Sequence, residues 1–456
     1  MQTQIFTVHK RHLGLRAPTV LALGFALTIL VGALVLMLPV SAADGQITPF
    51  LDALFTAASA SCVTGLVTVS TAVHWSVFGK CVILLLIQIG GLGFMSVAAI
   101  ASFVLRRTIT LHERMVMSAG LNLSDGGGIV RLTRRVLFGT FIIEGTGAVL
   151  LSCRFVPHYG FTKGITMGVF HAVSAFCNAG FDLMGTPDDP FQSLIGWAED
   201  PLVNITLMAL IVLGGLGFFV WSDVWDKHSF CRLRLHTKIV LTATAGLLLF
   251  GFGWTLLFEW SNPATLGAFD TPHKLLAAAF ESVTLRTAGF NTIDLGALTG
   301  PSQAVSCLLM FIGGSPGSTA GGIKTVTAAV LVLTAISAFC GRTTVSAFGR
   351  TIAPRSIMNA VTLLMAGGVL CLVGACAIAG IEDAPFHQCL FEAVSAFGTV
   401  GVSMGLTPTL AAASRVILIV MMYMGRVGVL TLGVAVFMRR REPPRLKYPD
   451  ADVFIG

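Results

Sequence analysis

Charge is scarce in this chain. Asp, Glu, Lys and Arg make up 11% of its 456 residues and hydrophobic residues 55%, whereas a soluble domain carries roughly 25% charged residues. So little charge cannot cover a water-soluble body of this size, and it excludes a disordered chain, a coiled coil or a secreted disulfide scaffold. Paired cysteines are lacking too. The ten cysteines are scattered, mostly through apolar stretches (Cys81, Cys153, Cys307, Cys340, Cys371 and Cys376), with no C-x-x-C pair and no Cys–His spacing that would hold zinc. They read as small apolar fillers between helices. The ten histidines show no ligand spacing, and there is no Ser/His/Asp set or intramembrane carboxylate pair, so a membrane-embedded enzyme finds no chemistry here. A net charge of +7 would matter for nucleic acid only as a basic stripe on a folded face.

What is present is long apolar runs. Unbroken stretches of about 20 residues or more indicate an all-α integral membrane protein rather than a barrel. The first run, from Pro18 to about Val40, is longer than the ~7–15-residue core of a signal peptide and reads as a retained spanning helix. Twenty-one of the 29 Lys and Arg lie in five segments: the N-terminus to Arg16, 106–135, 227–238, 342–355, and the tail from Arg439. Six lie in the alternate segments (Lys80, Arg154, Lys163, Lys274, Arg286, Arg415), where Asp182, Asp188, Asp189, Glu199, Asp200, Asp270, Asp294, Glu382 and Asp383 also fall. Lys324 and Arg426 stand within apolar sequence. The positive-inside rule places both termini in the cytoplasm, which requires an even number of crossings, and eight fits.

Self-similarity carries the most information. Four segments share an amphipathic lead, a polar elbow and a glycine: FTAASASCVTGL, FHAVSAFCNAGF, FESVTLRTAGF and FEAVSAFGTVGV. Their glycines, Gly65, Gly180, Gly289 and Gly401, are 115, 109 and 112 residues apart, close to a quarter of the chain. A second landmark keeps step: IGGLGF (Gly90, Gly91, Gly93), LGGLGF (Gly214, Gly215, Gly217), IGGSPG (312–317) and MGRVGV (424–429), at offsets of 25, 34, 24 and 24. Only the second repeat differs, and it carries extra loop around Thr186–Pro190. Each unit reads as a long helix (roughly 18–39, 130–153, 239–259 and 356–379), a half-length helix of ~12 residues, an elbow, and a second long helix from about Trp75, Pro201, Ser302 or Ala413. Two crossings per unit give all four one orientation. That suits a ring around an axis better than the paired, inverted repeats of a solute carrier.

Four re-entrant elbows around an axis can build a cation filter, because rings of backbone carbonyls replace an ion's water without placing a full charge in the bilayer. Glycine permits the positive φ that turns neighbouring carbonyls one way. The candidate lining is Val63, Thr64, Gly65 and Leu66; Asn178, Ala179, Gly180 and Phe181; Thr287, Ala288, Gly289 and Phe290; Thr399, Val400, Gly401 and Val402. None is acidic, which argues against a Ca²⁺-type carboxylate ring and for a monovalent cation, K⁺ before Na⁺. The bland alternative is tight helix packing through small residues, which would have to recur four times in register. Within the third landmark Gly313, Gly314, Ser315, Pro316, Gly317, Ser318, Thr319, Ala320, Gly321 and Gly322 cannot continue a helix. The break is expected in this quarter alone, as a loop in the conduction path that gates it or as a plain kink. A phosphate-loop frame over 317–325 fails by one inserted residue, Ile323, and has no preceding strand. Arg426 replaces a landmark glycine and is expected to face this loop and bond its carbonyls or hydroxyls. Lys324 either joins it or snorkels to the interface. Arg286 reads as a brace, to Glu281 or Glu392, and Glu144 has no evident partner.

These elbows, with GGSPGSTAGGIKT (313–325), RTAGFNT (286–292) and the ending KYPDADVFIG, resemble the Trk/Ktr/HKT superfamily of potassium transporters over essentially the whole length, and within it the membrane subunits of bacterial Ktr-type K⁺ uptake systems. The resemblance implies a pseudo-fourfold pore of four tandem helix–pore loop–helix repeats, eight spanning helices and four re-entrant ones. It also implies an intramembrane gate loop, a homodimer, and a cytosolic nucleotide-binding regulatory subunit forming an octameric ring. K⁺ would be the transported ion, Na⁺ a possible second one, with no organic cofactor, in the inner membrane of a bacterium. Glycine in all four filters matches the K⁺-selective members; branches with serine in the first favour Na⁺. The expected parts are a cytosolic N-terminus (1–16), repeat one (17–106), a cytosolic loop (107–128), repeat two (129–226), a second loop (227–238), repeat three (239–340), a third loop (341–355), repeat four (356–438) and a cytosolic tail (439–456).

Overall fold

The long apolar runs become the long helices. In the computed structural model, which describes residues 17–93, 129–429 and 431–433, they are α1 (Ala17–Leu36), α4 (Ile129–Tyr159), α8 (Leu235–Glu259) and α12 (Pro354–Ile381). Among the described residues these four are long and apolar enough to cross a membrane. Their outward faces keep large apolar side chains exposed, such as Leu27 at 62% and Met365 at 61%, as a helix facing hydrocarbon should. Expectations that fall on the N-terminus, the loop over 107–128 and the tail lie outside the described residues.

After each long helix comes a short one: α2 (Phe50–Cys62), α5 (Phe161–Phe176), α9 (Thr271–Thr284) and α13 (Phe386–Gly398). The phenylalanine opening each sequence motif (Phe55, Phe170, Phe280, Phe391) is buried in all four. Burying such a side chain contributes about 1.5–3 kcal/mol. Where the amphipathic pattern stops, the elbow begins.

The second helix of each unit follows: α3 (Val77–Leu92), α6 (Pro201–Leu216), α10 (Gly300–Phe311) and α14 (Ala412–Val427). Local chemistry starts two of them. The Ser76 hydroxyl accepts from the Gly79 N–H at 3.1 Å, and Asp200 accepts from the Val203 N–H at 3.1 Å beside Pro201 at the first helical position. All four end at the second landmark, which corrects the expectation of one broken quarter. Gly93, Gly217 and Gly428 sit at φ +79°, +94° and +91°. Past Gly217 the chain turns by 92° into α7 (Phe218–Lys227). In the third unit the break is a thirteen-residue loop, 312–324, before α11 (Thr325–Phe339). A two-residue hairpin, β1 (Ser346–Ala347) with β2 (Arg350–Thr351), connects α11 to α12.

The candidate filter and its gate

Each short helix delivers its C-terminal end to an elbow whose backbone alternates. Val63, Asn178, Thr287 and Thr399 have φ of +58°, +59°, +69° and +52°, and two residues on Gly65, Gly180, Gly289 and Gly401 have +99°, +70°, +85° and +94°. Left-handed backbone costs a residue with a side chain about 1–2 kcal/mol, and for β-branched Val63 and the two threonines it is a genuine outlier. Strain repeated at four equivalent positions is held by its surroundings. Alternating left-handed residues turn successive carbonyls toward the same side, and the four helix C-termini add their negative dipole ends.

The four elbows meet. A Cβ placed on Gly65 would lie 2.6 Å from the Ala179 carbonyl oxygen, one on Gly180 2.7 Å from the Gly289 Cα, one on Gly289 2.7 Å from the Val400 oxygen, and one on Gly401 would strike the Thr64 oxygen. Quarter one therefore touches two, two touches three, three touches four, and four touches one. All sixteen elbow residues are buried. Gly65, Gly180, Gly289 and Gly401 together line one cavity of about 200 Å³, and Asp182, Asn291 and Asp294 also line it. Burial raises the Asp182 carboxyl above its ordinary value, opposed by the Met184 N–H and the Ser193 hydroxyl. Two buried hydroxyls at the ring, those of Thr64 and Thr399, have no hydrogen-bond partner.

A column of hydroxyls that the sequence reading passed over holds these elbows. Ser59 accepts from the Gly65 N–H at 3.0 Å, Ser174 donates to the Phe181 oxygen at 2.7 Å, Thr284 to the Phe290 oxygen at 2.6 Å, and Ser395 to the Val402 oxygen at 2.7 Å. Each stands four residues after the opening phenylalanine, a signal visible in the aligned repeats. The landmark glycines work behind the ring. A Cβ on Gly90, Gly214 or Gly425 would strike the carbonyl of Ser61, Phe176 or Phe397, at or near the end of each short helix.

The loop over 312–324 lies on the face of the ring away from the cavity, against the first elbow residues. Gly321 packs on Thr399 and Gly313 on Thr287, while the Thr319 hydroxyl bonds Asn178 Oδ1 at 3.1 Å and the Phe176 oxygen at 3.2 Å. Ser315 N–H donates to the Gly215 oxygen at 3.0 Å, and the Phe218 N–H to the Gly317 oxygen at 2.9 Å. The Arg426 guanidinium donates to the carbonyls of Thr319, Gly90 and, at 3.2 Å, Gly91, so it joins the loop to repeat one. Lys324 Nζ donates to the Ala320 oxygen at 2.7 Å, within the loop's own backbone. Arg286 braces neither glutamate: its Nη2 donates to the Gly313 oxygen at 2.9 Å and the Thr325 hydroxyl at 2.8 Å. Glu392 takes Ser403 and Thr407 instead, and Glu144 does have a partner, Gln88 Nε2 at 3.2 Å. Among the described residues no His/Cys/Asp/Glu group is placed to hold a metal ion.

Known proteins share this sequence and shape. The pattern of the TrkH cation transport protein family matches residues 20–442. Ktr system potassium uptake protein B of Bacillus subtilis is 42% identical over 96% of both chains. The potassium/sodium uptake protein NtpJ of Enterococcus hirae is 40% identical over 96% of both. Ktr system potassium uptake protein B of Vibrio alginolyticus is 37% identical over 96% of this chain and 95% of its own. The crystal structure of the potassium transporter TrkH from Vibrio parahaemolyticus superposes with a TM-score of 0.71, covering 94% of this chain and 86% of that one at 18% identity, a likeness of fold.

Proposed function

This chain belongs to the TrkH family of cation transport proteins, transporters and not enzymes, and from that premise we propose that it is the ion-translocating membrane subunit of a K⁺ uptake system. The observation that carries the reading is the ring of four glycine elbows that touch in cyclic order and line one cavity. K⁺ is the substrate. In the reading, the carbonyls of the sixteen elbow residues take the place of its water, and the orphaned hydroxyls of Thr64 and Thr399 fit a cation's need for oxygen. The loop over 313–322 is the gate: it covers the ring's inner face and is pinned by Arg426, Lys324 and Arg286. Eight crossings, with the bent and broken second helices each counted as one, set four repeats around the axis. Both termini lie in the cytoplasm of a bacterium.

One relative is named for potassium and sodium uptake, so Na⁺ is the second ion to be tested. A cytosolic nucleotide-binding regulatory ring and a second copy of the chain complete the reading, on family grounds. Isotopic Rb⁺ uptake into proteoliposomes holding the chain tests it, with K⁺, Na⁺ or neither as competitor. K⁺ should suppress uptake at concentrations where Na⁺ does not. Equal suppression by both ions would leave only the Na⁺-permeable version, and no uptake would remove the proposal.

A further inference from the structure

The extra loop of repeat two lines the ring's cavity through Pro190, Phe191, Ser193 and Ile195. The stretch that leaves each filter needs something to hold it, and repeats two and four use their own short helix. His171 Nε2 accepts the Leu183 N–H at 3.3 Å, and Glu392 accepts the Met404 N–H at 3.2 Å. The equivalent residues of repeats one and three, Thr56 and Glu281, are buried without a hydrogen-bond partner on their side-chain oxygens. The first exit is tied to its own short helix by a side chain, the Thr68 hydroxyl donating to Asp52 Oδ1 at 3.0 Å; both exits are also held from outside. Ser70, beyond the first filter, donates to the Pro190 carbonyl at 2.7 Å. Asn291, directly after the third, has both backbone groups taken: its N–H by the Ser193 hydroxyl at 3.2 Å and its carbonyl by the Leu194 N–H at 2.9 Å. Pro190, Ser193 and Leu194 belong to the one loop that breaks the spacing of the repeats.

Ser193 is the keystone of this loop. It is 8% exposed, its φ is +50°, and it forms the partition between the filter's cavity and a second one of about 370 Å³ against His158, Tyr159 and Trp197. A strained non-glycine residue at such a place is kept there by contacts, and its hydroxyl also faces Asp182 at the exit of the second filter. We propose that the loop over 186–197 is a clamp that fixes the exits of the first and third filter segments, and that Ser193 is a positioning residue for ion selectivity. The inference rests on the proposed K⁺ filter and names what sets its outer geometry. Repeat two adjoins both repeats one and three in the ring, so its loop is able to reach both.

The experiment compares wild type, Ser193→Ala and Ser193→Gly in proteoliposomes, reading the ratio of Na⁺ to K⁺ concentrations that halve isotopic Rb⁺ uptake. Both variants lose the hydroxyl. Glycine also relieves the left-handed backbone, which offsets the lost hydrogen bond in the fold. The clamp requires the selectivity ratio to fall about fivefold in both variants, the worth of one hydrogen bond, while the melting temperature of Ser193→Gly holds. A purely structural serine would leave the ratio of Ser193→Gly at the wild-type value, and that result overturns the clamp alone. A wild-type chain without K⁺-selective uptake overturns the filter reading, and the clamp with it.

Discussion

Replacing Arg426 by glutamine should open the pathway. The side chain bonds three carbonyls, but those of Gly90 and Gly91 belong to a helix packed against the ring, so only the bond to Thr319 ties down the loop. A hydrogen bond from a charged donor contributes about 1.5–3 kcal/mol. Glutamine is shorter and neutral and does not restore it across the same gap. Removing that bond from the occluded arrangement shifts the occluded-to-open ratio by about 10- to 150-fold at 1.4 kcal/mol per decade. Removing a cation from the conduction path lowers the barrier to K⁺ in the same direction. The assay is the initial rate of isotopic Rb⁺ uptake by proteoliposomes containing this chain alone, at equal reconstituted protein and with the melting temperature checked in detergent. Uptake should rise at least several-fold, up to the ceiling set by the open filter. A rate equal to or below wild type, from protein that melts normally, would show that Arg426 does not restrain the loop and would refute the gate assignment.

Three further outcomes follow from the same contacts. Gly65→Ser places a Cβ 2.6 Å from the Ala179 oxygen at φ +99°; the carbonyl must retreat by several tenths of an ångström, and K⁺-over-Na⁺ discrimination should fall about tenfold, against an unchanged ratio if these carbonyls do not select. Deleting 315–320 removes the bonds to Gly215, Phe176 and Asn178 and should raise basal Rb⁺ flux, whereas a silent or unchanged transporter would favour a plain kink. The Arg415–Asp52 pair, at 2.7 Å with each side chain about one-fifth exposed, should show a coupling of about 1 kcal/mol in a double-mutant cycle of Asp52→Asn and Arg415→Gln read by melting temperature; a coupling near zero would make it ornamental.

Much of this arrangement was legible in the sequence because it is written four times. The elbow glycines and the helix starts recur at nearly constant spacing, and the second helices begin at Val77, Pro201, Gly300 and Ala412, within two residues of the positions read from the sequence. What stayed hidden depends on non-local contact. LGGLGF looks able to stay helical, yet the chain turns sharply at Gly217, where a Cβ would stand 2.8 Å from the Pro316 oxygen of the loop over 312–324. No inspection of repeat two alone reveals that repeat three fills the space beside it. Charge alone suggests a carboxylate for Arg286, but the structure gives it a carbonyl and a hydroxyl, the ordinary partners where backbone is irregular. The hydroxyl column of Ser59, Ser174, Thr284 and Ser395 recurs four residues after each opening phenylalanine, so it is legible once the repeats are aligned.

The bond between Arg415 and Asp52 has company. The Tyr423 hydroxyl donates to the Ala22 oxygen at 2.7 Å, and Arg426 reaches Gly90, so three links join the last quarter of the chain to its first. Successive quarters are tethered by peptide; this boundary has none. A necklace strung on one thread closes only at its clasp, and here the clasp is built from side chains, one of which, Arg426, also bonds the loop over 312–324. Loosening it would unfasten the circle.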